Sequence, residues 1–556
     1  MQPFGVGPAP ARIMIVGEYW SPDDERACQP FQGSVGAELG RMLHEAGVMV
    51  SECYMTNVVN ARPGNNDIGS WIAAKKKDIT PRHVSLDGKW VMPIVQEGVE
   101  RLWREIELVS PNVILALGNL ALWTLTGAWG ALKWRGSQLH AQKRLLSTPI
   151  PLKVIPTIHP RAVISQWEHR AASVNDIKRV AKECGSRVYS NQPAWSFLVR
   201  PNFHQAYTSL NTLLSRASSS PTPLWIDFDL ETRAGHIACA GLSWTLNDAI
   251  CIPFMCIENK EGYWNIEEEA MLVHKIYKLL THPNVNVRGQ NLLYDAQYTY
   301  RHWHFVPRVK QDTMISHHTL FAGLPKRLDY QASLYCDHYI YWKDDGKTWT
   351  KELSEDQLWR YNCIDCVRTR EVGEVELKSI EDMGLQPVED FQQSLFWPVL
   401  RAMQLGVRID TKRRAALAME LQDELSRREE FFIEVLGHPL NPRSSPQMAK
   451  LFYTDLNIPP IYTRPKKGQP PHLTCDEEAL QKIKQKEPIL IPLIDIILQY
   501  RQIGVFLSTF ILMPLDQDQR MRCSYNICGT ETYRFSSSQN AFGSGGNLQN
   551  LPKGDE

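Results

Sequence analysis

The stretch Trp225-Ile226-Asp227-Phe228-Asp229-Leu230-Glu231-Thr232 sets three carboxylates into five residues after an apolar approach that begins at Leu224. The approach predicts a buried strand, and alternation along a strand sends residues i and i+2 to one face. Asp229 and Glu231 therefore project together, and Asp227 with them. Like carboxylates side by side repel and lose hydration, so a fold tolerates them best with a cation between them. A solvated acidic strand end is the plainer alternative.

Two further stretches bear on that choice. Gly289-Gln290-Asn291-Leu292-Leu293-Tyr294-Asp295 places a carboxylate where a strand through Val285 and Val287 gives way to a helix. Tyr361-Asn362-Cys363-Ile364-Asp365 lies in a helical stretch, where a spacing of four puts Tyr361 and Asp365 on one face. Four carboxylates from three segments, with a tyrosine one turn from the last, suit a two-metal phosphodiesterase site, its ions about 3.5–4 Å apart. The Tyr361 hydroxyl is placed to orient the attacking water.

In order, Asp229-x-Glu231, Asn291-x-x-x-Asp295 and Tyr361-x-x-x-Asp365 resemble the motifs of the DEDDy 3′–5′ exonucleases, in the form carried as the proofreading domain of family A DNA polymerases. Asp312-Thr313-Met314 is similar to that family's second core strand and helix start. The resemblance implies a ribonuclease H-like α/β domain. In it Asp229, Glu231, Asp295 and Asp365 hold two divalent ions, Mg²⁺ or Mn²⁺, and Tyr361 serves the nucleophile.

The 556 residues favour three or four domains, and 43% apolar with 22% charged residues describe an ordinary globular chain. Lys+Arg and Asp+Glu both number 61, so no global positive field marks a nucleic-acid binder and any DNA contact must be local. The twelve cysteines are scattered; the one CxxC, Cys363 to Cys366, lies inside the third acidic motif and has no second pair to complete a zinc site. Reduced thiols are expected. No basic and apolar leader begins the chain and no run reaches about 18 apolar residues, so a soluble, intracellular protein away from membranes is expected.

Residues 1–190 read as a first domain. Strands at Arg12–Glu18, Asn112–Asn119 and Val154–Pro160 alternate with helices, which predicts a parallel sheet with Glu18, Asn119 and His159 at its carboxyl ends. The segments Gly17-Glu18, Pro30-Phe31-Gln32-Gly33, Thr56 to Pro63, Leu117-Gly118-Asn119, Trp134-Arg135-Gly136 and His159-Pro160 resemble the uracil-DNA glycosylase superfamily, nearest its family 4 branch. On that resemblance Phe31 stacks on a flipped base, Asn57 pairs with the uracil edge, His159 meets the departing uracil anion and Glu18 positions water. Three departures stand out. Tyr19-Trp20-Ser21 follows Gly17-Glu18 where the family has a small residue, proline and glycine. Arg161 replaces a small residue. The family's cluster-binding cysteines are missing, so no iron–sulfur cluster is expected.

Residues 191–385 read as the exonuclease domain, opened by a turn-rich junction from 191 to 223 around Ser215–Ser220, Pro221 and Pro223. From 386 to 556 the chain becomes mainly helical. Leu395 to Asp410 resembles the opening of the family A polymerase domain, with Asp410 as an N-cap and Leu417, Leu421, Leu425 and Phe432 as a helical stripe ending at Gly437. Asn441 to Gln447 and Gln499-Tyr500-Arg501 are similar to the thumb, and Arg464 to Gly468 forms a basic loop. Gly529 to Ser537 and Asn547 to Pro552 resemble the first block of the palm, which implies primer–template contacts from Arg534, Gln549 and Asn550, alongside the thumb's Arg501.

The palm aspartates and fingers motifs of that family lie beyond these residues. The expectation is the N-terminal portion of a bacteriophage-type family A DNA polymerase that binds primer–template DNA and single-stranded 3′ ends. A truncated chain, or a second chain supplying the remaining palm and fingers, would account for the missing motifs. A phage protein of this kind would work in the host cytoplasm. Two alternatives stay open: a stand-alone repair nuclease coupling uracil excision to 3′ trimming, and a non-catalytic DNA-binding processivity subunit.

Overall fold

In the computed structural model, which describes residues 2–142, 152–189, 193–346, 355–463 and 471–551, the acidic stretch lies in the strand Leu224–Arg233. Ile226, Phe228 and Leu230 are buried on one face, as alternation requires. The strand is third in a six-stranded sheet ordered Val309–Asp312, Val285–Gly289, Leu224–Arg233, His236–Ser243, Asp248–Pro253, Ser196–Leu198. It runs parallel to Val285–Gly289 and antiparallel to His236–Ser243, pairing Asp229 with Gly241 and Glu231 with Cys239. The long helix Asp356–Asp382 covers the acidic face of this strand. It comes close at Gly241, where a Cβ would lie 2.5 Å from the Asn362 side-chain oxygen.

The first domain is a five-stranded sheet ordered Cys53–Val59, Ile13–Tyr19, Val113–Leu117, Lys153–Thr157, Leu139–His140. Its first four strands are parallel and only the short edge strand is antiparallel. Both faces are packed, by two apolar clusters that share no residue.

The junction expected from 191 to 223 contains a strand, Ser196–Leu198, and a helix, Phe203–Ser219. Ala206, Leu210, Leu213 and Ala217 give that helix a buried stripe, Asn202 and Gln205 form its capping box, and the Ser218 and Ser219 hydroxyls bond back to carbonyls one turn earlier. Serine content alone had suggested turns. The chain also divides into two compact units, Met1–Ser394 and Leu395–Glu556. Helix Gln386–Ser394 belongs to the first unit because its Glu389 accepts from Ser316 at 2.6 Å and its Gln393 bonds the Asp312 backbone.

The second unit is built on helices Phe396–Leu405, Thr411–Leu436, Glu477–Lys486 and Ile491–Phe506. Asp410 caps Thr411–Leu436 by accepting from Lys412 and Arg413, and Gly437 ends it with φ 75°. Of the expected stripe only Phe432 is fully buried, with Phe452, Leu480 and Ile494. The helical stretch Pro488–Ile511 is long and apolar enough to cross a membrane, with mean hydropathy 1.5; here it packs Leu493, Ile494 and Ile497 into that core. The basic loop Arg464–Gly468 lies outside the described residues.

Candidate active site

Single carboxylate oxygens of Asp229, Glu231 and Asp365 lie within 4.8 Å of one another, the first two half-buried and the third buried. They open onto a groove of about 640 Å³ that Tyr361 and Lys343 also line. Asp229 accepts from Asn362 Nδ2 at 2.8 Å. Burial, and then the neighbouring Asp365, push Asp229 up to about 7; Lys343 and Asn362 pull the other way. Burial and the other two carboxylates hold Glu231 well above the ordinary range.

Asp295 stands beside this trio rather than in it. Its Oδ1 accepts from the Leu230 amide at 2.8 Å, which ties the helix Leu292–Trp303 to the acidic strand, and burial and Asp229 raise its pKa. Asn291 starts that helix in the left-handed region, φ 59°, with its amide and that of Leu292 both donated to Asp312. Asp227 shares the acidic face but is taken up elsewhere: it pairs with Arg288 at 2.5 Å and Arg370 at 2.7 Å.

Two residues of this site escaped the sequence reading. Trp342 Nε1 donates to Asp365 Oδ1 at 2.6 Å, and Lys343 Nζ donates to Asp365 Oδ2 at 2.5 Å and to the Tyr361 hydroxyl at 3.0 Å. They come from an irregular segment with no periodicity to flag it; a lysine directly after the aromatic run Tyr339-Ile340-Tyr341-Trp342 is the only signal. Gly346 lies against the Tyr361 ring, where a Cβ would be 3.0 Å away.

In the first domain Glu18, Phe31, Asn57 and His159 converge on one small cavity, with Tyr19 and Arg161 also in its wall. His159 Nδ1 accepts from the Arg161 amide at 3.2 Å, so Nε2 carries the proton of the neutral ring, and burial pushes the pKa down to about 4. Glu18 Oε1 is engaged by the Leu120 amide at 2.9 Å, and burial raises its pKa. Asn57 Nδ2 is buried without a protein partner. The cavity holds only about 30 Å³, room for roughly two waters. Arg161 reaches the Asn66 carboxamide and Tyr19 the Asn66 carbonyl. Two of the three departures noted in the sequence, at Tyr19 and Arg161, thus lie in the wall of this small cavity.

In the second unit Arg501 donates to the carbonyls of Pro442 and Cys475, both at 2.8 Å, in a groove of about 520 Å³. Arg534 is exposed on a turn closed by Thr530, and Gln549 donates to the Phe535 carbonyl at 3.0 Å, so the strand Ser536–Ser538 gathers these two. Asn550 is exposed in the same short helical turn as Gln549.

Comparison with known proteins matches residues 4–181 to the uracil DNA glycosylase superfamily and residues 411–556 to DNA polymerase family A. The chain is thus similar to uracil-DNA glycosylases over its first third and to family A DNA polymerases over its last quarter. The glycosylase-like domain is 28% identical to the type-4 uracil-DNA glycosylase of Archaeoglobus fulgidus over 184 residues, 33% of this chain and 82% of that one. The chain is also 28% identical to the thermostable DNA polymerase I of Thermus thermophilus over 211 residues, 37% of this chain. It spans only 23% of that polymerase's length. The solved POL domain of Pol1 from M. smegmatis, in complex with DNA primer-template and dNTP, superposes with a TM-score of 0.44 and 18% identity over 64% of this chain and 56% of that one.

Proposed function

We propose that these residues are the N-terminal portion of a replicative family A DNA polymerase of bacteriophage type, with the groove at Asp229 as its 3′–5′ proofreading exonuclease. The observation that carries this reading is the convergence of Asp229, Glu231 and Asp365 within 4.8 Å beside the Tyr361 hydroxyl. An all-oxygen donor set is what hard divalent ions take, and Asp229 and Glu231, whose pKa values are raised by burial and neighbouring carboxylates, gain from a cation. Asp229, Glu231 and Asp365 would hold such ions, with Asp295 supporting from the Leu230 amide. When bound they supply charge to the phosphate and a lowered pKa for water.

The chain's own residues do the rest. Tyr361 orients the attacking water from one helical turn away, and Lys343 fixes the tyrosine hydroxyl. Asn362 holds Asp229, and Lys326 and Arg327 on the groove wall add positive charge for a DNA backbone. Arg534, Gln549 and Asn550 would contact primer–template. Arg501, whose donors already serve two carbonyls, would act more by bracing the thumb.

A labelled single-stranded oligonucleotide with Mg²⁺ tests the reading. Shortening from the 3′ end that disappears in Asp229→Ala supports it. No shortening in the unaltered chain overturns it and favours a DNA-binding role. A second reading, uracil recognition by the first domain, draws on one observation, the buried and unpartnered Asn57 Nδ2 beside a neutral His159. Alkali-labile sites in a uracil-containing oligonucleotide, lost in His159→Ala, would establish it.

A further inference from the structure

The Trp134-Arg135-Gly136 segment of the glycosylase-like domain turns to the neighbouring exonuclease-like domain, not to the base cavity. Arg135 is anchored by Asp176 at 2.5 Å and donates through its other Nη to Ser333 Oγ at 2.6 Å. Arg179 donates to the carbonyls of Ser333, Cys336 and Asp337 at 2.8–3.0 Å. The Gln138 amide donates to the Tyr339 carbonyl at 2.7 Å, and the Tyr339 amide returns to Gln138 Oε1 at 3.2 Å. Tyr341 donates its amide to Ser137 Oγ at 3.1 Å and sets its ring 5.4 Å from that of Trp134. Lys133 pairs with Asp344.

The segment receiving these bonds runs directly into the nuclease groove. Residues 336–342 form neither helix nor strand, so their backbone groups need partners from elsewhere. The first domain supplies them at Tyr339 and Tyr341. The next two side chains, Trp342 and Lys343, take both oxygens of Asp365, and Lys343 takes the Tyr361 hydroxyl as well.

We propose that the glycosylase-like domain is a structural half of the nuclease site. Through residues 133–138 and Arg179 it fixes the strap 333–344, and the strap sets Trp342 and Lys343 on Asp365 and Tyr361. This rests on the nuclease reading of the groove. Lys343 is a positioning residue: its ammonium spans a carboxylate and a phenol that would otherwise settle independently. The domain therefore has a use that does not require a base to enter its pocket.

The test uses the full chain with the double substitution Ser137→Ala and Gln138→Ala, which removes the side-chain acceptors of the Tyr341 and Tyr339 amides and touches none of the groove's carboxylates. Hydrogen exchange at 339–344 should speed up while the strand Ile13–Tyr19 keeps its protection. The kcat for 3′-nucleotide release should fall by roughly ten- to a hundredfold from misplacement alone, with KM for DNA little changed. Lys343→Met should show the same split, and Lys343→Arg should recover part of it. Faster exchange with unchanged kcat would overturn the proposal, as would exchange at 339–344 that does not change. Absence of nucleotide release in the unaltered chain would sink the nuclease reading instead, and the exchange data would still decide the brace by themselves.

Discussion

Lys343 Nζ lies 2.5 Å from Asp365 Oδ2, and the other oxygen of that carboxylate is held by Trp342 from the preceding position. Burial would lower the lysine's pKa, but Asp365 and Asp229 outweigh it and hold the ammonium charged. One cation from the chain thus offsets only part of a three-carboxylate cluster.

The surplus negative charge makes a prediction. Glu231→Gln removes one of the repelling groups, so the chain in EDTA should melt about 2–4 °C higher, on the order of 1 kcal/mol. Nucleotide release in Mg²⁺ should drop roughly 10²–10³-fold. Calorimetry with and without metal checks the first part; a lower Tm in EDTA would show that the carboxylates do not strain one another.

Gly346→Ala probes Tyr361 without touching a ligand. The added methyl would sit 3.0 Å from the ring, and the backbone there is not left-handed, so Ala is strained only through that contact. The expected result is a fall in kcat of about tenfold with a Tm shift below roughly 2 °C. Equal activity would mean the ring yields without moving its hydroxyl.

Acid should loosen the strap. His338 is buried with Nδ1 unpartnered, and burial, Arg368, Arg179 and His140 push its pKa down to about 4. In the unfolded chain a histidine binds its proton near 6.5. Its contribution to stability is therefore complete above 6.5 and is lost as pH falls toward 4. Histidines 159 and 317, also held near 4, add to the same window. His338→Phe should give a shallower fall in Tm between pH 6.5 and 4; an identical slope would remove the histidine from the account.

The small cavity of the first domain offers a gain-of-binding test. Arg161→Ala removes the side chain that reaches Asn66 and should let free uracil bind more tightly than it does to the unaltered chain, as measured by calorimetry. Asn57→Ala on that background should abolish the binding again. Tight uracil binding by the unaltered chain would show that Arg161 moves aside unaided.

Much of this was legible in sequence because it depended on local spacing. Alternation put Asp229 and Glu231 on one face, and a spacing of four put Tyr361 beside Asp365. The fate of Asp227 was not legible, since Arg288 and Arg370 reach it from other segments. Asp312 was legible as the junction of a core strand and a helix, but its hold on the Asn291 and Leu292 amides of a neighbouring element was not. Lys343 and Trp342 were missed for the same reason: their partners are near in space and their own segment has no period. The helix Phe203–Ser219 was obscured by serines whose hydroxyls bond back along the helix.

A domain whose small cavity is lined by Tyr19 and Arg161, while its outer edge holds residues 333–344, is under two constraints that need not agree. In a lineage that stops handling uracil, Glu18, Asn57 and His159 are released to drift, whereas Ser137, Gln138 and Arg179 are not. Such a gene would keep the outline of this fold, held by its contacts with residues 333–344, after the residues lining its cavity had changed.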